Sequence, residues 1–176
     1  MALEADDLAA NPPAHPDRSR LVEWNDPHLN ARQAATMPGR DYLEGLVDGS
    51  IPRPPMGALM GMRLTAVGDG TATFVCTPDE SHYNTIGIVH GGLVCTLLDS
   101  AVGCAVQSTL PAGVGYTSIE LKVSYLRPLH HDSGEITCVG TVVKPGRRVA
   151  FAEGVVTDAQ GKTIATATSS LLVFPL

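Results

Sequence analysis

The sequence lacks the features that would place the protein in a membrane or outside the cell. It has no run of ~18 or more consecutive apolar residues, the length that a membrane-spanning helix needs. Its acidic N-terminus, MALEADDLAANPP, has no basic segment followed by an apolar one, as a secretory signal would. The four cysteines contain no CxxC pair. We therefore expect a cytoplasmic protein with free thiols and no membrane attachment.

The sequence also lacks a basic excess, and its formal net charge is −6. Residues 1–50 hold nine of the 18 acidic residues and four of the 12 basic ones, which leaves nine against eight in residues 51–176. The second part of the chain is therefore nearly neutral. Nothing in this distribution resembles a nucleic-acid-binding surface, so we expect no nucleic acid as a partner.

The length of 176 residues is that of one folded domain with an extension. Residues 1–50 are rich in Ala, Pro and Asp, and we interpret them as an N-terminal arm that is partly disordered or helical. Within the arm, residues 31–47 are predicted to form one helix, ended by Asp48-Gly49. The sequence IPRPP at 51–55 is a stiff connector, and residues 51–176 form the domain.

The domain is predicted to contain six strands and one long helix. Met62–Val67 and Thr71–Thr77 form a hairpin, and the apolar segment from Gly91 to about Thr109 is too long for a strand. Four strands then follow: Tyr116–Arg127, Glu135–Lys144, Arg147–Thr157 and Lys162–Phe174. In the first of these, strict alternation places Ile119 on the face of Leu121 and Ser118 on the opposite face. The order of elements predicts an α+β fold, an antiparallel sheet wrapped around a buried helix.

The predicted helix carries an acid, Asp99, inside the apolar run LVCTLLDSAVGCAV. A buried carboxylate needs a partner or a function, and desolvation beside Leu97, Leu98 and Ala101 would make it a better base at neutral pH. The alternative is a structural acid bonded to Ser100 or to a backbone group.

The start of the same helix has the sequence His90-Gly91-Gly92. The free N–H groups of a first helical turn and the helix dipole favour an oxyanion, and glycine allows close approach of the backbone. The alternative interpretation is that His90 neighbours the N-cap and that the glycines only permit close packing.

Three segments together resemble a known family: HYNTIGIVHGGLVCTLLDSAVG, GYTSIELKVSYLRP and GRRVAFAEG. They resemble the hotdog-fold acyl-CoA thioesterases of the phenylacetate-pathway and 4-hydroxybenzoyl-CoA type, over roughly residues 54–174. The resemblance implies a curved antiparallel sheet of about six strands around a long central helix. It also implies hydrolysis of acyl-CoA to free acid and CoA. The subgroup with Glu at the position of Asp99 is not matched.

The resemblance also implies roles for individual residues. Asp99 would act as general base or nucleophile, and the N–H of Gly91 or Gly92 would polarise the thioester carbonyl. Asn84 and Ser118 would position water or substrate, and His90 would lie at the same site. Asn84 in a turn-rich loop and Ser118 on a strand also have ordinary structural interpretations. No metal or prosthetic group is implied, because coenzyme A is part of the substrate.

Coenzyme A carries a pyrophosphate and a 3′-phosphate, which cations at the mouth of a pocket would bind. The candidates are Lys122, Arg127, Arg147 and Arg148. The last two follow the Pro145-Gly146 turn, where a solvated pair of charges is the alternative.

The helix geometry separates the two halves of the motif. Asp99 lies seven or eight residues after the glycines, roughly 10 to 12 Å along one helix, so one thioester cannot contact both. Either the two features serve different purposes, or a two-fold axis combines the glycines of one chain with the acid of another. The second arrangement predicts a homodimer, with a tetramer as a dimer of dimers possible.

Two alternative functions differ from hydrolysis. An acyl-thioester dehydratase or hydratase of the same fold would carry Asp five residues before the histidine, where this sequence has Thr85. A non-catalytic acyl-CoA-binding module would keep the pocket without needing Asp99.

Overall fold

The computed structural model describes residues 18–176. Residues 1–17 of the predicted arm lie outside this range. The described chain forms helices α1 Pro27–Thr36, α2 Gly39–Asp48, α3 Pro55–Leu59 and α4 Gly91–Gln107. Its strands are β1 Met62–Gly68, β2 Thr71–Cys76, β3 Val114–Tyr125, β4 Ile136–Lys144, β5 Val149–Thr157 and β6 Thr163–Pro175. Among residues 18–176, no helix is long and apolar enough to cross a membrane.

The six strands form one antiparallel sheet in the order β1-β2-β4-β5-β6-β3. This confirms the predicted sheet, and each strand end lies within two residues of its expected position. The strand ends were predictable because turn residues such as Gly70, Gly134 and Gly161, all with positive φ, separate the strands.

The N-terminal segment forms two helices, so the prediction of one helix over residues 31–47 is wrong. Pro38 has an extended backbone (φ −53°, ψ 140°) and separates α1 from α2, because proline disfavours helical backbone in the residue before it. Tyr42 and Leu43 on α2 are buried in a cluster that includes Leu64 of β1 and Cys104 of α4. Helix α2 therefore packs against the sheet and the central helix.

Helix α4 is the centre of the fold, and its side chains Leu97, Leu98 and Val102 are fully buried. Gly140 on β4 and Gly154 on β5 are cross-strand partners beneath it. A Cβ atom at Gly140 would lie 2.2 Å from the carbonyl oxygen of Ala101. The sheet thus approaches the helix backbone more closely than any residue with a side chain would allow.

Strand β3 contains a bulge that the alternation did not predict. Ser118 pairs with Leu171 and Glu120 with Ser170, so Ile119 is an extra residue without a partner. Ile119 is 57% exposed, and the prediction that it shares the face of Leu121 is wrong. The bulge turns Ser118 towards α4, on the face of Leu121 and Val123.

Candidate active site

The Asp99 carboxylate and the Ser118 hydroxyl form a hydrogen-bonded pair between α4 and β3. The Ser118 hydroxyl donates to Oδ1 of Asp99 over 2.7 Å. Asp99 is exposed in the single chain, so the expected burial of the acid is wrong. The helical period explains this, because Leu97 and Leu98 face the sheet and Asp99 projects from the flank that the sheet leaves open.

Asp99 and Ser118 line a cavity of about 530 Å³. Its wall includes Leu46 at the end of α2, Met56 on α3 and Phe74 on β2. Arg53 also lines it and was missed by the sequence interpretation, since it precedes every motif that indicated a site.

Gly91 lies at the other end of α4, in a different cavity of about 320 Å³ that it shares with Asn84 and Arg127. The Tyr125 hydroxyl donates to the carbonyl oxygen of Gly91 over 3.1 Å. A Cβ atom at Gly91 would lie 3.2 Å from the Tyr125 ring. Within residues 18–176, the Gly91 N–H has no hydrogen-bond acceptor. Gly91 therefore offers an unpaired donor at the positive end of the helix dipole.

His90 is the N-cap residue of α4, and its Nδ1 accepts a hydrogen bond from the Gly92 N–H over 2.8 Å. Gly92 and His90 face a third cavity, on the side of the loop that precedes the helix. Because the Gly92 N–H is already paired, Gly91 is the better candidate donor of the two. The cap contact gives His90 a structural role in fixing the start of the helix.

Asn84 organises the loop before α4. Its Oδ1 accepts hydrogen bonds from the backbone N–H groups of Ile86 and Ile88, over 3.0 and 3.3 Å. This contact is the conformational role that asparagine commonly has in turns. In the described part of the chain the Nδ2 group makes no hydrogen bond, so it remains available as a donor towards the cavity of Gly91.

The four predicted CoA-binding cations do not form one cluster within a single chain. Arg127 lines the cavity of Gly91 and donates to the carbonyl oxygen of Thr163. Lys122 is exposed on β3. Arg147 lines a cavity beside Val106, near the opposite end of α4, and Arg148 is the next residue in the same turn.

His82 is buried, with 9% of its surface exposed. Its Nδ1 accepts from the Asp79 N–H over 3.0 Å, and its carbonyl oxygen accepts from the His90 N–H over 2.7 Å. Its Nε2 has no partner within residues 18–176. The spacing D-x-x-H, typical of a capping box, was the available sequence signal.

Two further polar groups lie behind Asp99 and are neutral at physiological pH. Burial raises the pKa of the Cys104 thiol to about 12. The pKa of the Tyr116 hydroxyl is also raised well above its usual value, chiefly by burial. Both line the cavity of Asp99 and add no charge to it. Within residues 18–176, no group of three or more His, Cys, Asp or Glu side chains could hold a metal ion.

The sequence is similar to known thioesterases and esterases. Residues 86–165 match the Thioesterase superfamily. Human acyl-coenzyme A thioesterase 13 is 31% identical over 106 residues, which cover 58% of this chain and 74% of that protein. A protein of Halobacterium salinarum named as an esterase is 42% identical over 96 residues, covering 50% of this chain and 62% of its own length.

The fold has solved relatives too. The structure of a phenylacetic acid degradation-related protein from Ralstonia eutropha superposes with a TM-score of 0.68 at 26% identity. The match covers 74% of this chain and 98% of that one. The six-stranded sheet around a central helix agrees with these sequence and structural matches. The chain therefore belongs to the thioesterase superfamily, has the hotdog fold and is a thioester hydrolase.

Proposed function

We propose that this chain hydrolyses acyl-CoA thioesters to the free acid and coenzyme A. The observation that carries the proposal is the Asp99–Ser118 pair on the open flank of a helix whose first N–H, at Gly91, is unpaired. An acyl-CoA substrate agrees with the name of the human relative, acyl-coenzyme A thioesterase 13. The proposal involves no metal or prosthetic group.

Gly91 and Asp99 suit the two stages of thioester hydrolysis, attack on the carbonyl carbon and release of CoA. The Gly91 N–H and the helix dipole stabilise the oxyanion that forms on the thioester carbonyl. Asp99 either removes a proton from water as it attacks the carbonyl carbon or attacks that carbon itself. When Asp99 acts as base, the carbon–sulfur bond then breaks, and the CoA sulfur leaves with the electron pair and takes the proton that Asp99 removed from water. When Asp99 attacks, the leaving thiolate takes a proton from water, and a second water molecule hydrolyses the Asp99–acyl anhydride to release the acid. Ser118 occupies one oxygen of Asp99 and leaves the other directed at the reactants.

One chain cannot complete this site, because Gly91 and Asp99 are eight residues apart, about 12 Å along α4. Strand β3 offers a way to combine two chains, since it is at the edge of the sheet. It carries both contacts, Ser118 to Asp99 and Tyr125 to Gly91. Because Ile119 is an extra residue in the strand, antiparallel pairing of two β3 strands centred on residue 122 sets Tyr125 of each chain opposite Ser118 of the other. We therefore propose a homodimer with two composite sites.

A second interface is supported by the outer face of the sheet. Val139 and Val155 are cross-strand partners and are 40% and 37% exposed, and Phe151 is 43% exposed. Exposed apolar patches of this kind mark association surfaces. A tetramer made of two dimers through this face is consistent with the pattern.

Arg127 is the cation with the best support for CoA binding, because it shares the cavity of Gly91 and Asn84. Lys122 lies three residues after Ile119 on the same edge strand and is exposed. Arg147 and Arg148 lie in the β4–β5 turn, near the opposite end of α4 from Gly91. They are too far away to reach the same nucleotide within one chain. They would bind CoA only at a site shared with a neighbouring subunit.

The test is hydrolysis of several acyl-CoAs, measured as released thiol, by the wild-type protein and Asp99→Asn. We expect kcat to fall by about a thousandfold in Asp99→Asn, the range for loss of a general base or nucleophile. Asp132→Asn, an exposed acid in a loop outside the described cavities, should retain wild-type rates. Hydrolysis of none of the substrates by the wild type, or full activity of Asp99→Asn, would reject the proposal.

A further inference from the structure

The cavity that contains Asp99 and Ser118 is built to a large extent by a segment that lies before the family match. Half of its lining residues belong to residues 46–57, between the end of α2 and α3. The match to the superfamily begins at residue 86. The shape of this cavity thus depends on a segment outside the residues that match the superfamily.

The segment is held rigidly in place. The Ile51 N–H donates to the Gly45 carbonyl over 2.9 Å, and Ile51 is 4% exposed. The buried Asn30 of α1 donates through Nδ2 to the carbonyl oxygen of Pro52 over 2.7 Å. Prolines at 52, 54 and 55 restrict the backbone further. The wall of the cavity is therefore formed before any ligand binds.

The lining surface is mainly apolar, and its aliphatic side chains outnumber its aromatic ones. Leu46, Ile51, Met56 and Met62 contribute flexible or branched apolar side chains, and the rings present belong to Phe74 and Tyr116. Methionine adapts to irregular apolar ligands. Besides Asp99, the charged side chains in the lining are Arg53 and Arg63, and both are exposed to solvent.

The position of the reacting carbon determines what enters this space. A thioester attacked from Asp99 has its acyl group adjacent to the cavity. At about 30 Å³ for a water-sized group, a cavity of about 530 Å³ accommodates roughly eighteen such groups. An acetyl group would fill little of that volume.

We infer that residues 46–57 form the wall of an acyl-binding chamber beside Asp99, and that this chamber selects linear aliphatic acyl groups of medium to long chain. The inference rests on the proposed function for the identity of the thioester. It adds to that function a substrate class and the segment that determines it.

The experiment measures kcat/KM for acetyl-, hexanoyl-, dodecanoyl-, hexadecanoyl- and benzoyl-CoA. For the wild type, we expect kcat/KM to rise more than about a hundredfold from acetyl- to dodecanoyl-CoA, because each buried methylene adds to transition-state binding. Met56, which is 52% exposed at the chamber, is replaced in Met56→Trp to reduce the volume without disturbing the core. This variant should lower the dodecanoyl-to-acetyl ratio of kcat/KM at least tenfold.

Leu29→Trp is the matched control, because Leu29 is 50% exposed on α1 and lines none of the described cavities. It should keep the wild-type ratio. A flat chain-length profile, faster hydrolysis of benzoyl- than of dodecanoyl-CoA, or equal ratios in Met56→Trp and the wild type would overturn the inference while leaving thioester hydrolysis in place.

Binding provides a readout that is independent of catalysis. The thioethers S-dodecyl-CoA and S-methyl-CoA cannot be hydrolysed, and their Kd values can be measured by titration calorimetry. The chamber predicts tighter binding of the dodecyl compound to the wild type and loss of that preference in Met56→Trp. If the wild type hydrolyses no acyl-CoA, the proposed function fails, and equal Kd values for the two thioethers would reject the chamber as well.

Discussion

At the scale of single residues, the direction of the Ser118 side chain could not be predicted from the sequence. The resemblance identified both Ser118 and Asp99, but regular alternation put Ser118 on the wrong face of β3. The bulge at Ile119 corrects the direction of the side chain and brings its hydroxyl 2.7 Å from Asp99. No residue in GYTSIELKVSY signals a bulge, because apolar and polar residues continue to alternate through it.

The exposure of Asp99 has a similar explanation. The apolar run around it indicated a buried acid, but an apolar composition does not specify which flank of a helix the sheet covers. Here α4 contacts the sheet through Leu97, Leu98 and Val102, and Asp99 lies on the remaining side. Association with a second chain at β3 is the arrangement that would remove Asp99 from water.

The four cysteines give a prediction at the same scale. Burial raises the pKa of Cys76 to about 11 and those of Cys104 and Cys138 to about 12. A thiol with a raised pKa stays protonated and unreactive until the pH approaches that value. At pH 8 the thiolate fraction is roughly a few hundredfold (Cys76) to a few thousandfold (Cys104 and Cys138) below that of an ordinary cysteine with pKa of about 8.5.

We therefore expect iodoacetamide at pH 8 to modify at most Cys95 and Cys104, the two partly exposed thiols, in the folded protein, and all four thiols after unfolding. Mass spectrometry of the intact protein over time measures the number of added groups. Rapid modification of Cys76 or Cys138 in the folded protein would contradict the burial that the structure describes.

At the scale of elements, the close packing of α4 against the sheet depends on two cross-strand glycines, Gly140 and Gly154. A Cβ atom at Gly140 would meet the backbone of Ala101 at 2.2 Å, where nothing can move without shifting the helix. A Cβ atom at Gly154 would meet the side chains of Leu98 and Val102 at 2.9 and 3.1 Å, which can change rotamer. The two positions face the same helix and differ in what they contact.

Gly140→Ala should lower the free energy of unfolding by about 3 kcal/mol, and Gly154→Ala by about 1 kcal/mol, within the range for overpacked cores. Urea unfolding followed by circular dichroism measures both values. The pair serves as its own control, because each substitution adds one methyl group to a strand interior. Equal costs would show that the contact with the Ala101 backbone does not set the position of α4.

The elements themselves were largely predictable, for identifiable reasons. Glycine turns delimit the strands, and a 17-residue apolar segment can only be a helix in a domain of this size. The N-terminal helix was predicted as one because the apolar residues Tyr42, Leu43 and Leu46 suggested a continuous face, whereas Pro38 outweighs that pattern. The loop before α4 was not predictable in detail, since the burial of His82 depends on contacts from the opposite side of the loop.

At the scale of the whole molecule, the N-terminal segment and the domain share one packed structure in residues 18–176. Helix α2 contributes Tyr42 and Leu43 to a cluster with Leu64 and Cys104. A sequence boundary at the prolines of 51–55 follows composition, and composition does not report which surfaces pack together. The wall of the Asp99 cavity is the functional consequence of this packing.

The proposed composite site predicts that two inactive chains can restore each other. Asp99→Asn removes the acid, and Gly91→Val places a side chain against the Tyr125 ring, where even a Cβ atom would lie at 3.2 Å. Each homodimer should be inactive. A heterodimer of the two variants contains one site with an intact Gly91 from one chain and an intact Asp99 from the other.

Co-expression with two different affinity tags isolates that heterodimer, and released thiol from dodecanoyl-CoA measures its activity. We expect about half of the wild-type kcat per dimer, because one of the two sites is complete. A heterodimer of wild type and Asp99→Asn calibrates the value, since it holds one complete site whether the site lies within or between chains. Activity of the double-variant heterodimer at the level of its two parents, or a fully active monomer in sedimentation, would place Gly91 and Asp99 in separate roles. In that case the acid and the glycine would no longer belong to one reaction centre, and the 12 Å that separates them along α4 would mark two sites.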